Sequence, residues 1–233
     1  GTRRQRQMCI RDSTFNFTKW NKILGWVVFA IALLTYSLTV EPTSSFWDAG
    51  EYIATSSKLQ VGHPPGAPLF QMIGAFASIF ASDPTQIALV VNMTSAVASA
   101  FAILFMFWSI TILLRKLILS SEEEFSQSKG IAVLGAALVG SLSFTFTDSF
   151  WFNAVEAEVY AMATCILSIL FYLGLLWERD MHKPRGNRWL ILISLIVGLS
   201  FGVHFMGLLS IPAIGLLYYC LLYTSPSPRD TDL

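Results

Sequence analysis

Charged residues in this chain are confined to short islands, which are separated by long apolar runs that carry no charge. Only 13% of the 233 residues are charged and 54% are hydrophobic, whereas soluble domains carry about 25% charged residues. A membrane-spanning helix needs about 20 mostly apolar residues. The pattern therefore predicts an all-α, multi-pass transmembrane helical bundle. The net charge of zero gives no electrostatic reason to expect a nucleic-acid partner.

Several apolar runs are long enough to cross a bilayer, and the last could cross it twice because it is interrupted near His204. Gly198 and Gly202 within that last run form a G-x-x-x-G pattern, a weak indication of close helix packing. We therefore expect about five to six spans. The candidate runs are 23–40, 85–114, 130–147, 160–177 and 189–219.

The basic residues predict the orientation of the bundle, since loops that stay inside carry an excess of Lys and Arg. Lys19 and Lys22 precede the first span, so the N-terminus is predicted to lie inside. A shorter apolar piece, 66–81, follows that span. If this piece crossed the membrane, Arg115 and Lys116 would lie outside. We therefore expect 66–81 to form an interfacial or re-entrant helix in the first outward loop.

Both ends of the chain differ from the apolar part between them. Residues 1–13 are polar and basic, and residues 220–233 end in Ser, Pro and charged residues. Both segments resemble translated sequencing adapters, so we expect two non-native tails around a transmembrane part, 14–219. The alternative is a pair of disordered tails. We also expect the chain to lack a C-terminal portion of the protein.

The first outward loop, 41–65, carries residues suited to chemistry at the membrane surface. Asp48 and Glu51 are three residues apart and would share one face of a helix. A carboxylate there can act as general base on a hydroxyl group. His63 precedes a Pro-Pro-Gly turn, which restricts the backbone and would hold the imidazole close to the acids. The alternative is a solvated helix, capped by a preceding serine, whose acids only interact with the helix dipole.

Two further acids and a histidine lie on the same predicted side. Glu156 and Glu158 precede a span, and carboxylates next to a bilayer are costly unless they face water, a cavity or a partner. His204 lies at the break in the last apolar run. The two acids could bind an acceptor, sugar hydroxyls or a cation, and the histidine could contact a phosphate or a lipid head group. The alternatives are simple exposure of the acids at a loop edge and packing of the histidine between helices.

Three motifs occur in order and at fitting separations: FWDAGEYIATSSKLQVGHPPGAPLF, FWFNAVEAEVYAM and GLSFGVHFMGLLSIPA. Together they closely resemble a family of bacterial multi-pass membrane proteins that was long of unknown function. That family is related to the eukaryotic transmembrane protein O-mannosyltransferase, and it looks like the GT-C glycosyltransferases. The resemblance covers nearly all of residues 14–219, and it implies the N-terminal part of a GT-C-like transmembrane domain.

The resemblance implies roles in the first outward loop. Asp48 corresponds to the catalytic carboxylate, Glu51 is the second candidate, and His63 would support the site. Ala49 stands where we expect the family to carry Cys, which argues against an essential thiol at that position.

The resemblance also implies the substrates. The donor would be a polyprenyl-phosphate sugar with a mannose-like sugar, and the acceptor would be a hydroxyl of an exported protein. Glu156 and Glu158 match an acidic element of the second loop, and His204 falls where related enzymes place a polar group that meets the lipid phosphate. No metal ligand and no cofactor is assigned, although the acids are compatible with a divalent cation. The expected location is a bacterial inner membrane, with the active site facing the periplasm.

Two other functions are compatible with this sequence. A transporter or flippase of lipid-linked sugars would also carry intramembrane acids and a broken helix. It would need the acids near the bilayer midplane, whereas here they fall at the outer boundary. A non-catalytic membrane scaffold would leave Asp48 and Glu51 without explanation. We therefore predict a membrane glycosyltransferase.

Overall fold

The computed structural model describes residues 15–118 and 126–223, and every regular element in these ranges is a helix. Two short 3-10 turns, Pro84–Gln86 and Phe205–Leu209, lead into longer helices. In chain order the helices are α1 (Phe17–Thr39), α2 (Ala49–Lys58), α3 (Pro68–Ser78), α4 (Ile87–Ile118), α5 (Gln127–Thr145), α6 (Asp148–Ala154), α7 (Val159–Asp180), α8 (Arg188–Ser200) and α9 (Ser210–Tyr223).

Four helices, α1, α4, α5 and α7, are long and apolar enough to cross a membrane. The predicted all-α membrane bundle is therefore confirmed. The last apolar run forms two shorter apolar helices, α8 and α9, and the break between them contains His204, as the sequence predicts.

Helix α4 is the centre of the bundle and packs against α1, α5 and α7. It is apolar around its whole circumference, which is typical of a helix surrounded by others. Ile103 and Phe107 of α4 are fully buried, and so are Val28 and Tyr36 of α1. This core holds the loops at each end of the bundle in fixed relative positions.

Contacts between helix ends show which loops lie together. At one end, the guanidinium carbon of Arg115 lies 5.4 Å from the ring centre of Phe17. Lys116 of α4 also pairs there with Glu178 of α7. The start of α1 and the ends of α4 and α7 therefore share this end of the bundle.

At the opposite end, the loop after α1 meets the segment between α5 and α7. The Glu41 backbone N–H donates to the Val155 carbonyl over 2.9 Å, and the Trp151 indole N–H donates to the Thr39 hydroxyl over 2.9 Å. Because α4 starts at the end where α1 finishes, α3 does not pass through the bundle between them. Its 11 residues rise about 16 Å, about half of the hydrocarbon thickness. A crossing of the bundle by α3 is therefore ruled out, while its position at the membrane surface stays a prediction.

The two predicted tails lie largely beyond the described residues. Residues 1–13 and 224–233 fall outside them, whereas α9 continues through Cys220 to Tyr223. The proposed non-native origin of these ends stays a prediction.

Candidate active site

The loop between α1 and α2 presents Asp48 without tying down its carboxylate. Asp48 is the N-cap residue of α2, but its side chain makes no capping hydrogen bond and is 56% exposed. The predicted serine cap is wrong. Ser44 donates to the Ser45 carbonyl over 3.3 Å, and Ser45 donates over 2.5 Å to Oε2 of Glu156, far along the chain. The carboxylate of Asp48 is therefore free to contact another molecule.

The His63 imidazole lies between the two acids of the first loop. Its Nδ1 is 3.1 Å from Glu51 Oε2, and the His63 backbone N–H donates to Glu51 Oε1 over 2.6 Å. Its Nε2 is 3.9 Å from Asp48 Oδ2. The hydrogen bonds from His63 lower the pKa of Glu51. Glu51 thus stays ionised and orients the ring toward Asp48.

The turn after α2 brings His63 back to the acids. Gly66 has φ +79°, a left-handed conformation that glycine adopts without strain, and its N–H donates to the His63 carbonyl over 2.8 Å. A Cβ on Gly62 would lie 3.1 Å from Glu51 Oε1. Glycine at this position leaves room for the carboxylate. The Tyr52 ring lies beside the His63 ring, with 6.1 Å between ring centres.

Glu156 and Glu158 are buried beside the first loop. Only 2% of Glu156 and 6% of Glu158 are exposed, so the alternative of simple exposure at a loop edge is wrong. Burial raises the pKa of Glu158 to about 7, and the negative charges of Glu156 and Asp48 add to the effect. The backbone N–H groups of Asp48 and Val159 donate to Glu158, which lowers its pKa and partly offsets the increase. Glu158 therefore gains or loses its proton near neutral pH.

His204 adopts an extended conformation and caps the 3-10 turn Phe205–Leu209. Its Nδ1 accepts the Met206 backbone N–H over 3.1 Å. An accepting Nδ1 carries no proton, so the neutral ring carries its proton on Nε2. The Tyr160 ring lies 5.3 Å away, centre to centre. The histidine thus has a definite tautomer with one donor left.

Two neighbouring cavities connect these side chains. One, the histidine cavity, has a volume of about 210 Å³ and is lined by both histidines and by aromatic residues that include Tyr52, Phe201 and Phe205. The other, the acidic cavity, has a volume of about 240 Å³ and includes Trp47, Phe152, Asn153 and Glu156 in its lining. Both cavities share three residues as a common wall: Asp48, Glu158 and Tyr160.

All six residues singled out in the sequence are therefore brought together at one end of the bundle. Five of them line a cavity, and Glu51 is connected to the site by the hydrogen bonds that it accepts from His63. Asp48, Glu51 and His63 each offer one ligand atom, and these atoms lie within 4.8 Å of one another. They could hold a cation, but no further observation favours one, so this expectation stays a prediction. The catalytic and binding roles of the six residues also stay predictions.

Comparison with known proteins identifies the family of this chain. Residues 48–227 match the family described as Protein O-mannosyl-transferase TMEM260 N-terminal domain. The chain belongs to this family. The matched range begins at Asp48 and contains all six site residues, so the site lies within the part of the chain that the family shares.

Two curated relatives of the family are similar to this chain. One is Protein O-mannosyl-transferase tmem260 of Dictyostelium discoideum, 26% identical over 72% of this chain and 19% of its own length. The other is Protein O-mannosyl-transferase TMEM260 of Mus musculus, 26% identical over 74% of this chain and 22% of its own length. The chain thus spans about a fifth of the length of these relatives. No solved structure matches the chain.

Some residues that shape the site in this TMEM260-family chain were not singled out in the sequence. Tyr160 lines both cavities, and its place in the VEAEVY motif was the available signal. Asn92 is fully buried in α4, and its amide donates to the carbonyls of Glu41 over 2.7 Å and Thr43 over 2.9 Å. An amide inside an apolar run is itself a signal, because such groups need partners in the membrane.

The raised pKa of Glu158 predicts a pH-dependent effect of Glu158→Gln on stability. The pKa is 4.5 in the unfolded chain and about 7 in the folded protein. The stabilisation from the buried neutral acid is complete below pH 4.5 and is lost as the pH rises through 7. Glutamine mimics the neutral acid at every pH. We expect the variant and the wild type to unfold at similar temperatures near pH 4.5, and the variant to be more stable at pH 8.

Thermal unfolding in detergent at these two pH values measures this effect. Because one pKa unit corresponds to about 1.4 kcal/mol, the difference at pH 8 should be on the order of 3 kcal/mol. A difference in unfolding temperature that is the same at both pH values would contradict the burial of an ionisable Glu158.

Proposed function

We propose that this chain forms the catalytic core of a GT-C-type membrane O-mannosyltransferase, which moves mannose from a polyprenyl-phosphate donor to a protein hydroxyl. The names of the relatives support the mannosyl transfer. The observation that carries the proposal is the free carboxylate of Asp48 in a cavity that it shares with both histidines. A base beside groups that bind phosphate is what transfer from a phosphate-linked sugar requires.

Asp48 is the proposed general base. The acceptor hydroxyl lies against its carboxylate, and the hydroxyl oxygen attacks the anomeric carbon of the sugar. A new carbon–oxygen bond forms while the bond between the anomeric carbon and the phosphate oxygen breaks. The hydroxyl proton passes to Asp48, and both electrons of the broken bond leave with the polyprenyl phosphate. A single displacement of this kind inverts the anomeric centre.

The leaving phosphate needs hydrogen-bond donors or positive charge. His204 has one ring donor, the Nε2–H, that its contact with Met206 does not use. His63 lies in the same cavity, and its contact with Glu51 orients the ring through Nδ1. His204 can thus donate to a phosphate in the histidine cavity. Glu51 acts on the reaction through His63.

The donor and the membrane side are also part of the proposal. A polyprenyl phosphate approaches from the bilayer, and the histidine cavity is bordered by Phe201 and Phe205, which are 47% and 48% exposed and flank the break between α8 and α9. The basic residues near Lys19 and Arg115 lie at the end of the bundle away from the cavities. By the distribution of basic residues, the site faces the outside, which would be the periplasm of a bacterial inner membrane. The acceptor would then be an exported protein.

The alternative functions fit the site less well. A transporter or flippase of lipid-linked sugars needs ionisable groups near the middle of its spans. Here Asp48 and Glu158 lie at the N-terminal ends of α2 and α7, at one end of the bundle. A non-catalytic scaffold offers no reason to keep two buried acids, Glu156 and Glu158, beside a free carboxylate.

Transfer by a protein that carries this segment in its complete reading frame tests the proposal. The purified protein is incubated with polyprenyl-phosphate mannose and a serine-containing acceptor polypeptide, and the glycosylated product is measured by mass spectrometry. We expect mannose on a Ser or Thr hydroxyl with inverted anomeric configuration. Movement of the intact lipid-linked sugar across vesicles without any transfer would instead favour the flippase. Repeating the transfer after treatment with EDTA shows whether a divalent cation takes part.

A further inference from the structure

Asp48 forms part of the common wall of two cavities whose lining residues differ in chemistry. It lines both the histidine cavity and the acidic cavity, together with Glu158 and Tyr160. The two volumes, about 210 and 240 Å³, are similar. A group-transfer enzyme must hold two substrates on either side of its reacting atoms. Two cavities that share the Asp48 carboxylate satisfy this requirement.

The charges of the two cavities differ. In the acidic cavity, Glu156 and Glu158 are both buried, and Asp48 adds a third carboxylate. Asp48 and Glu158 line both cavities, so Glu156 is the carboxylate that makes the acidic cavity the less favourable place for a phosphate, since like charges at short range in a poorly solvated space are costly. The histidine cavity instead contains two imidazoles, of which His204 has an Nε2–H that can donate to a phosphate. The histidine cavity is therefore the better place for the phosphate of the lipid-linked donor.

The acidic cavity is suited to a neutral hydrogen-bond donor. Its carboxylate oxygens accept hydrogen bonds from hydroxyl and amide groups. The Asn153 amide already donates to the Ser149 carbonyl over 2.8 Å, and its oxygen remains to accept a further donor. Glu156 is held in place by the Ser45 hydroxyl over 2.5 Å. These acceptors are therefore oriented before a ligand arrives.

Aromatic side chains complete the acidic cavity. Trp47 is 86% exposed and Phe152 is 49% exposed. Exposed rings beside oriented polar groups are typical of surfaces that bind peptide or carbohydrate, because the rings add apolar contact area at a low entropic cost. Trp47 has φ +62°, an uncommon conformation for a tryptophan. The backbone conformation that places the Trp47 ring in the lining of this cavity is therefore less favourable than an ordinary one.

We infer that the acidic cavity is the acceptor subsite, which binds a segment of polypeptide through Phe152, Asn153 and Glu156 and presents its hydroxyl to Asp48. The inference rests on the proposed transferase function and adds to it the location of the second substrate. The acceptor is a Ser- or Thr-containing segment whose neighbouring side chains and amide groups contact the cavity. The donor occupies the histidine cavity on the other side of Asp48.

Separate Michaelis constants for the two substrates test this inference in the complete protein. Phe152→Ala and Asn153→Ala should each raise the acceptor KM by about fivefold or more, as expected for the loss of roughly 1 kcal/mol of binding. The donor KM should stay within about twofold of the wild type. Phe205→Ala, in the histidine cavity, should show the opposite pattern. Phe76→Ala, an exposed ring of α3 outside both cavities, is the matched control and should change neither constant.

The outcomes separate the inference from the proposed function. If Phe152→Ala and Asn153→Ala leave the acceptor KM unchanged, or raise the donor KM equally, the assignment of the acidic cavity is wrong while the transferase function stands. If the wild type transfers no sugar, the proposed function itself is wrong. Phe152→Leu keeps apolar volume at the site, so it serves if the alanine variant fails to fold.

Discussion

Replacing Asp48 with asparagine should reduce sugar transfer about 100-fold to 10,000-fold, the range over which a general base contributes to catalysis. Asparagine has nearly the same shape and can accept a hydrogen bond, but it cannot take the proton of the acceptor hydroxyl. The side chain is 56% exposed and caps no helix, so we expect the variant to fold normally. The product formed from polyprenyl-phosphate mannose measures the effect.

Asp148→Asn is the matched control for this substitution. Asp148 is exposed in the first turn of α6, at the same end of the bundle, and it lines neither cavity. The Asp148→Asn variant should retain the transfer rate of the wild type, and both variants should unfold at the wild-type temperature. Undiminished transfer by Asp48→Asn would remove Asp48 from the role of base and leave Glu158, the other shared acid, as the group to test.

Replacing Gly202 with alanine should destabilise the protein by about 1 to 3 kcal/mol, the usual range for an added methyl group in a packed site. A Cβ on Gly202 would lie 2.7 Å from Leu69 Cβ, which cannot move without the backbone of α3. The Gly202 carbonyl also accepts the N–H groups of Leu69 over 2.7 Å and Phe70 over 3.2 Å. These are the first N–H groups of α3, and they have no partner within the helix.

The same substitution should also reduce transfer, because His204 lies two residues beyond Gly202 and moves with it. Gly198→Ala is the control, since no described atom lies within 4 Å of a Cβ at that position. Within a helix, alanine is favoured over glycine by about 1 kcal/mol, so this variant should unfold at the wild-type temperature or above it. Equal unfolding temperatures for the two variants would mean that the contact between Gly202 and α3 does not contribute to stability.

These two glycines also show what a sequence pattern can predict. The G-x-x-x-G pattern predicts that both glycines face a neighbouring helix. The structure confirms a close approach at Gly202 and has none at Gly198. The partner of Gly202 is the start of α3, about 130 residues earlier in the chain. A local pattern indicates that a close contact is allowed, whereas the partner depends on how distant segments pack.

Four of the expected five to six spans followed from the sequence because they depend on local properties, whereas the last apolar run forms two shorter helices in place of the one or two spans expected. Apolar length determines which helices can cross, and the break at His204 lies in a short interruption of an apolar run. The grouping of Asp48 with Glu158 followed from the predicted order of spans, which sends both loops to one end. The orientation relative to the membrane stays a prediction.

The contacts that hold the site together could not be predicted from local properties. Ser44 or Ser45 was expected to cap the following helix, yet the Ser45 hydroxyl donates to Glu156, which lies 111 residues away. Asn92 holds the carbonyls of Glu41 and Thr43 from a helix that reads as uniformly apolar. Such pairs form only when tertiary packing places particular atoms within about 3 Å, and the residue types alone do not name the partner.

The bonds between the first and second loops have a consequence for biosynthesis. Glu156 holds the Ser45 hydroxyl, and Glu158 accepts the backbone N–H of Asp48, so the loop after α1 acquires its final arrangement only when the segment before α7 has been made. His204 enters still later, after α8. During synthesis, the ribosome must therefore deliver more than 200 residues before Asp48 and His204 can line the same cavity. The grouping of the six site residues therefore becomes complete only after α8 has been made.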